Sequence, residues 1–336
     1  MKIPFEAEYR RRYHDLLEEV FDSDFLSEGR MVRRFETEMS ACLGGPETVA
    51  VCNAGLGLLA LLEAAGVGGG EVIVPSNTFM ATPLAAIRAG ADVVFADCNR
   101  EDLCLSLTDL KTRITSRTRA VIVVHIGGHI AFEIEEMAAY LAERDIALIE
   151  DCAHAHGAEY NGRQAGTYGL GGVYSFYATK TMPLGEGGLV VTRDARAAEF
   201  VRSWRNYGKY DYKVSGFNAR MNEMTAALGL VQLERLPRIL AWKRDLAAKY
   251  DRIFEKRVRL PRNMVSGYYK YIVFERPLAE ETGRVFDSPC HEIMGRSGDG
   301  LANTDWVKSN HACAPIYYGW DRAESTPEAL AAHLLS

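Results

Sequence analysis

The sequence predicts an α/β protein, a three-layer αβα arrangement with a mostly parallel central sheet, followed by a smaller α+β C-terminal domain. Two observations support this prediction. Short runs rich in Val and Ile alternate with helix-like segments, as in a parallel sheet covered by helices on both faces. From about residue 222 the pattern changes to a long helical segment and then a strand, "YYKYIVFE". We therefore divide the chain into a large domain, 1–235, and a small domain, 236–336.

The predicted elements follow in order along the chain. Residues 6–21 and 31–43 have the spacing of amphipathic helices. A helix, "LLALLEAAG", and a buried strand, "EVIVPS", come next. Helices and strands then alternate through "ATPLAAIRAG", "DVVFAD", "RAVIVVHI", "IEEMAAYLAERD", "IALIED", "GGVYSFYA" and "GGLVVT". The long helical segment is expected to kink near Pro237, and "STPEALAAHLLS" is predicted to be a capped helix.

Composition narrows the class of protein. Of 336 residues, 48% are apolar and 25% are charged, and the formal net charge is −6. This balance is typical of a globular protein, and the absence of a long Lys/Arg block argues against nucleic-acid binding. Seven cysteines without CxxC spacing favour reduced thiols in a cytoplasmic protein over a zinc ribbon or a disulfide scaffold. The N-terminal segment is charged throughout, so we expect no signal peptide, and the lack of a long apolar run argues against a membrane span.

Polar residues follow several predicted strands, and ligands of parallel sheets bind beyond the carboxyl ends of strands. A pyridoxal phosphate site needs four features: a lysine for a Schiff base, a carboxylate against the pyridine nitrogen, donors for a phosphate, and a flat side chain over the ring. Each position alone is more simply a surface cation, a cap or a turn. The chain nevertheless offers candidates for all four in compatible order: Asn53-Ala54-Gly55 opening a helix, Phe79 after a strand, Asp151 ending "IALIED", Ser175, and Lys180 in "SFYATKTMPLGEGG".

Four motifs in the same order resemble a known family. They are "VPSNTFMAT", "LIEDCAHAHGA", "SFYATKTMPLGEGGLVVT" and "GFNARMNEMTAALGLVQL", and the opening "EGRMVRRFETEMSACLG" is similar as well. Together they resemble the DegT/DnrJ/EryC1/StrS family of sugar aminotransferases, which have the aspartate-aminotransferase fold (fold type I). The similarity is dense from about residue 25 to 235 and looser as far as "HACAPIYYG".

The resemblance implies roles around the cofactor ring. Lys180 would hold pyridoxal phosphate covalently and later carry a proton between substrate carbon and cofactor carbon. Asp151 would pair with the pyridinium nitrogen. His154 stands where the family has Gln or His near the ring, and Phe79 would stack on it.

The resemblance also implies how the phosphate is bound. Ser175 and the backbone of Ala54 and Gly55 would bind it, and Asn218 would reach it from the neighbouring subunit of a homodimer. Two features depart from the family. Gly55 stands where a hydroxyl usually donates, and the chain is shorter than is usual, with a thin C-terminal part.

The function predicted from this resemblance is transfer of an amino group from glutamate or glutamine to a keto sugar, most simply a nucleotide-linked one. A cyclitol ketone or a free keto sugar is an alternative substrate. A non-catalytic relative of the same fold is a second alternative, and a sugar dehydratase is a third, against which Lys180 argues. No His/Cys/Asp group has metal-ligand spacing. His125, His129 and His311 are candidates for contact with the substrate but are more simply structural, and His156 fits a packing role and a ligand contact equally well.

Overall fold

The computed structural model describes residues 4–209 and 211–336. The strands are, in chain order, β1 (Glu47–Val51), β2 (Glu71–Pro75), β3 (Asp92–Ala96), β4 (Thr118–Val124), β5 (Ala147–Asp151), β6 (Glu159–Tyr160), β7 (Arg163–Gln164), β8 (Gly171–Ser175), β9 (Gly188–Thr192), β10 (Met264–Val265), β11 (Tyr271–Phe274) and β12 (His311–Ala314). The α-helices are α1 (Ala7–Asp22), α2 (Arg30–Cys42), α3 (Ala54–Ala64), α4 (Ala81–Arg88), α5 (Leu107–Arg113), α6 (Ile134–Ala142), α7 (Ala195–Trp204), α8 (Glu223–Tyr250), α9 (Cys290–Ile293), α10 (Ala302–Asn310) and α11 (Pro327–Leu334).

A seven-stranded sheet in the order β1-β9-β8-β5-β4-β2-β3 forms the centre of the molecule. Strand β9 runs antiparallel to both of its neighbours, and the remaining pairs are parallel. Alternate residues of β4 enter different hydrophobic cores, Val121 and Val123 one core and Ala120 and Ile122 the other. A strand buried on both faces needs helices on both sides, so the predicted three-layer arrangement with a mostly parallel sheet is confirmed.

The long helix α8 connects the two parts of the chain. It begins at Glu223, continues through Pro237 and ends at Tyr250, earlier than the helical segment predicted from the sequence. Its last turns join a third core, with Leu246 and Tyr250 beside residues of β11, β12 and α11. The division of the chain at 235/236 stays a prediction, and it falls inside this helix.

Glu223 fixes the start of α8 against the start of α2. Its fully buried carboxylate accepts hydrogen bonds from the backbone N–H groups of Gly29 at 3.0 Å, Met31 at 2.8 Å and Val32 at 3.1 Å. A carboxylate at a helix N-terminus satisfies amides that have no partner within the helix. Gly29 permits this approach, because a Cβ there would lie 2.5 Å from the glutamate oxygen.

The architecture brings several chain segments to one edge of the main sheet. The carboxyl ends of β1, β2, β5 and β8 share that edge with the beginning of antiparallel β9. Loops leaving parallel strands at such an edge form the usual ligand site of open α/β sheets. Within the described ranges, no helix has both the length and the apolar character needed to cross a membrane.

Candidate active site

A cavity of about 430 Å³ lies at the carboxyl edge of the sheet. Residues from the ends of β1, β2, β5 and β8 line it, together with the loop before β9 and two residues of the C-terminal part. Seven of the eight predicted site residues line this cavity: Ala54, Gly55, Phe79, Asp151, His154, Ser175 and Lys180. The eighth, Asn218, is exposed and is not part of the lining.

The N-terminus of α3 opens onto the cavity. Asn53 caps this helix, since its side-chain oxygen accepts a hydrogen bond from the Leu56 amide at 2.9 Å. Ala54 and Gly55 are the first helical residues, so helix geometry leaves their amides without intrahelical acceptors. Ser175 is 8% exposed at the end of β8, and its oxygen accepts a hydrogen bond from the Tyr177 amide at 3.4 Å. The amides and the serine O–H can therefore donate to an anion.

Gly55, the unusual residue of this helix start, is not required by the backbone. Its φ lies outside the left-handed region that favours glycine. A Cβ at this position would lie 3.4 Å from the Asn53 side-chain oxygen and 3.8 Å from the Ala81 Cβ, which are ordinary contact distances. The site therefore has space for a side chain at residue 55.

Asp151 ends β5 and its side chain is held in place from both sides. One carboxylate oxygen accepts the Ala153 amide at 3.0 Å, and the other accepts the Thr82 hydroxyl at 3.1 Å. Burial raises the pKa of Asp151, while these hydrogen bonds and the charge of Lys180 oppose the increase. A fixed, buried carboxylate of this kind is well placed to pair with a cationic nitrogen in the cavity.

Lys180 lies on the loop between β8 and β9. Its amide donates to the Tyr177 carbonyl at 2.9 Å, and its ammonium nitrogen lies 4.9 Å from the centre of the Tyr269 ring. Burial lowers the pKa of Lys180 to about 8; Asp151 counteracts this decrease, and the positive charge of Lys270 adds to it. A lysine with this pKa is partly neutral near neutral pH and can act as a nucleophile or a base.

His154 and Tyr269 form a stacked pair beside Lys180. Their ring centres are 4.1 Å apart with 23° between the planes. Burial and the nearby charges of Lys180 and Lys270 hold the pKa of His154 well below its ordinary value, so the imidazole is neutral. Its Nδ1 is buried and has no hydrogen-bond partner among the residues described, so a ligand that reached this atom would satisfy an otherwise unpaired polar group.

Tyr269 is one of the lining residues that sequence reasoning missed. It belongs to the C-terminal part of the chain, two residues before β11, and lies in the "YYKYIVFE" segment that predicts only a strand. Val285 enters the lining from the same part of the chain. No local pattern marks either residue, because its distance from the sheet edge is set by how the C-terminal part packs.

Phe79 lies at the rim of the cavity and is 80% exposed. The exposure rules out core packing as its role and leaves its ring free to cover a ligand. His156, in contrast, is 2% exposed and packs edge-on against Tyr174, near Phe176. This position matches the structural interpretation of that histidine.

Two buried clusters contain groups of the kind that bind metals, although their sequence spacing gave no sign of it. They are Asp102, Cys104 and His129, and His125, Glu150 and Cys152. The oxygens of Glu150 already accept hydrogen bonds from His125 and from three backbone amides. Those of Asp102 accept the amides of Cys104 and of Phe132. Both clusters therefore have a structural explanation in the satisfaction of buried carboxylates.

The fold is shared with a group of known proteins. The sequence model of the DegT/DnrJ/EryC1/StrS aminotransferase family matches residues 8–274. The chain belongs to this family, as the ordered motifs predicted. A solved structure described as DesI in the presence of its TDP-sugar product has a TM-score of 0.85 at 30% identity, covering 96% of this chain and 88% of the other.

Different relatives of the chain are named for different functions. The chain is 36% identical over 241 residues to a GDP-perosamine synthase of Vibrio cholerae. The aligned region covers 70% of this chain and 65% of that protein. It is also 36% identical over 248 residues to a pleiotropic regulatory protein of Geobacillus stearothermophilus, covering 72% and 66%. The matched region thus spans slightly less than two thirds of the length of each relative.

Proposed function

We propose that the protein is a pyridoxal phosphate-dependent aminotransferase that moves an amino group from glutamate or glutamine to a keto sugar. The observation that carries this proposal is the meeting of Lys180, Asp151 and the N-terminus of α3 in one cavity. When bound, the cofactor supplies an electron sink for the bonds at the substrate carbon. The donor set fits it, because the lining of the cavity combines the amides at the start of a helix with a buried carboxylate.

Each of these residues has a definite task in the proposal. Lys180 binds the cofactor covalently, and its neutral amine takes and returns the proton of the substrate carbon. Asp151, fixed by Thr82, keeps the ring nitrogen protonated. His154 offers its buried Nδ1 to the polar edge of the ring, and Phe79 covers one face.

The phosphate is assigned to the N-terminus of α3. The amides of Ala54 and Gly55 and the hydroxyl of Ser175, which line the same cavity, are its proposed donors. Since Gly55 contributes only its amide, this phosphate site has one donor fewer than a site with a hydroxyl at that position.

The proposed acceptor is a nucleotide-linked keto-deoxysugar, and the pathway is amino-sugar biosynthesis for polysaccharides or antibiotics. Relatives named for GDP- and TDP-linked sugars support this choice. A cyclitol ketone and a free keto sugar are the alternative acceptors. The relative named as a regulatory protein favours keeping a non-catalytic role as the second candidate. The free thiols of all seven cysteines suit action in the cytoplasm.

We further propose a homodimer in which Asn218 completes the partner's phosphate site. Asn218 lies beside exposed aromatic side chains: Phe217 is 51% exposed and Tyr207 is 52% exposed, and the Tyr207 amide donates to the Phe217 carbonyl. Exposed apolar side chains grouped in this way are typical of a surface covered by a partner.

Mixing inactive Lys180→Ala and Asn218→Ala chains tests whether each active site is shared between two subunits, because mixed dimers would regain one intact site. No recovered activity from subunits shown to exchange would contradict it.

The function is tested by spectroscopy of the purified chain. Added pyridoxal phosphate should give the visible band of a lysine-bound cofactor, which Lys180→Ala abolishes and Lys256→Ala, at an exposed lysine, preserves. Glutamate should then bleach the band. In the reverse direction, GDP-perosamine and a TDP-linked amino sugar should bleach it, whereas a free amino sugar and an aminocyclitol should not. If the chain bound no cofactor, the proposed aminotransferase function would be refuted and the non-catalytic role would be favoured.

A further inference from the structure

A second cavity of about 20 Å³, here called the inner cavity, also borders Lys180. Its lining includes Thr181, Ile239, Lys243 and Tyr269. Thr179, Lys180 and Tyr269 line the larger cavity as well, so the two spaces adjoin at these residues. A volume of this size is enough for one water molecule, which needs roughly 10–15 Å³ of such space together with two to four polar partners.

Lys243 is the first polar group of the inner cavity. It lies on α8, is 4% exposed, and donates one hydrogen bond to the Tyr268 carbonyl at 2.9 Å. This is the one hydrogen bond recorded for its ammonium group within the described ranges. An ammonium group has three N–H donors, and a buried donor without an acceptor is costly. The position therefore calls for a further acceptor.

Thr181 is the second polar group. It is 6% exposed, and its buried hydroxyl has no hydrogen-bond partner among the residues that the structure describes. Buried hydroxyls are normally satisfied by protein groups or by ordered water. One water between Thr181 and Lys243 would satisfy both side chains.

We propose that the inner cavity binds one water molecule between Lys243 and Thr181, and that this water passes a proton from Lys180 to Lys243. The proposal rests on the proposed function, because Lys180 acquires that proton from the carbon of the amino donor. The N–H bond at Lys180 breaks, the water accepts that proton and releases another, and an N–H bond forms at Lys243. The total charge is unchanged and no electrons are transferred.

The pKa values of the two lysines favour the proton on Lys180, so Lys243 accepts it only transiently before it is exchanged and returned. Burial lowers the pKa of Lys180 to about 8 and that of Lys243 to about 7. A difference of about one unit corresponds to roughly tenfold in the proton's distribution. Lys243 is thus partly neutral near neutral pH and can accept a proton, which a lysine of ordinary basicity could not.

The test compares Thr181→Val and Lys243→Met, which remove the two polar groups at nearly constant shape, with Ile239→Val, which changes only the apolar wall. Crystals of the wild-type chain should show one water within hydrogen-bond distance of Lys243 Nζ and Thr181 Oγ1. In ordinary water, glutamate deuterated at its α-carbon supplies the second readout, because the deuteron that Lys180 takes can reach the cofactor only if it has not left that lysine. The ratio of deuterium to amine passed to the cofactor should be near zero in the wild type and rise at least about tenfold in both polar variants, towards the roughly one third expected of an ammonium group with one deuteron and two protons, and should stay at the wild-type value in Ile239→Val.

A dry inner cavity, or equal ratios in all four proteins, would overturn the relay. The ratio separates the relay from general loss of activity, because a variant that is only less stable lowers both quantities together. The test needs no sugar. If the chain exchanges the hydrogen of glutamate but aminates none of the sugars, the proposed sugar acceptor is refuted. The proton relay through the inner cavity can still be tested in that case.

Discussion

The ring of Tyr269 stacks on that of His154 with their centres 4.1 Å apart, and so joins the C-terminal part of the chain to the end of β5. The same tyrosine ring lies 4.9 Å from the ammonium nitrogen of Lys180. One side chain from outside the sheet therefore contacts both a neutral imidazole and the proposed cofactor lysine. Docking of the C-terminal part and completion of the site are thereby coupled.

Removing the aromatic ring of Tyr269 should lower both the stability of the fold and the affinity for the cofactor. Tyr269→Ala removes the stacked pair and the cation–π contact, interactions worth ~0.5–1.5 kcal/mol each. We expect a lower melting temperature and a cofactor affinity reduced at least about tenfold, measured by thermal unfolding and by cofactor titration. Tyr269→Phe keeps the ring and serves as the control. If the two variants behave alike, the phenol group is what matters and the stacking argument is wrong.

Adding a hydroxyl at residue 55 should strengthen cofactor binding. Gly55→Ser fits the available space, and a hydrogen bond to a charged group contributes about 1.5–3 kcal/mol. We expect the dissociation constant of pyridoxal phosphate to fall by at least about tenfold in equilibrium titrations. Gly188→Ser is the contrasting variant, because a Cβ there would lie 2.6 Å from the Asn53 carbonyl carbon. Weaker binding by Gly55→Ser would show that the phosphate does not reach the start of α3.

The amine of Lys180 should become reactive at a pH far below that at which an ordinary lysine does. Because burial lowers its pKa from 10.5 to about 8, the neutral amine predominates above about pH 8. Competitive labelling of the cofactor-free chain with an amine reagent should give a midpoint near that pH. Asp151→Asn should move the midpoint lower still, since the carboxylate charge is what raises the pKa of Lys180. A midpoint near 10.5 would mean that the lysine is solvated.

Asp151→Asn should separate stability from activity. Burial raises the pKa of Asp151, so the charged carboxylate costs the folded state stability at pH values above that pKa, and the neutral amide removes this cost. We expect an unfolding free energy at neutral pH equal to or above that of the wild type. Amine transfer should nevertheless fall at least about a hundredfold, the scale on which losing one positioned polar group slows catalysis.

Denaturant unfolding and stopped-flow measurements of the half-reaction give these two quantities. Thr82→Val is the matched control, since it removes one hydrogen bond to Asp151 and leaves the charge in place. It should retain most of the amine transfer. An unstable but active Asp151→Asn variant would reverse the assignment and make Asp151 a structural residue.

The sequence predicted much of the site because its signals are local. The cap at Asn53, the strand end at Asp151 and the loop lysine at Lys180 each follow from short-range patterns, and parallel strands bring such ends to one edge. The contribution of Tyr269 had no such signal. The metal-like clusters were invisible for the same reason, because each combines two residues close in sequence with a histidine that lies 25 residues from one of them and meets them only through the fold.

By itself, then, the sequence determined the α/β class, the family and seven lining residues, since hydrophobic periodicity and motif order are properties of the chain alone. Only the tertiary structure decided which face each side chain occupies. It exposed Phe79, left residue 55 room for a side chain, and buried Lys243 and Thr181 in the lining of one small cavity. These outcomes depend on how closely distant segments pack, and packing distances are set by the whole fold rather than by any stretch of sequence.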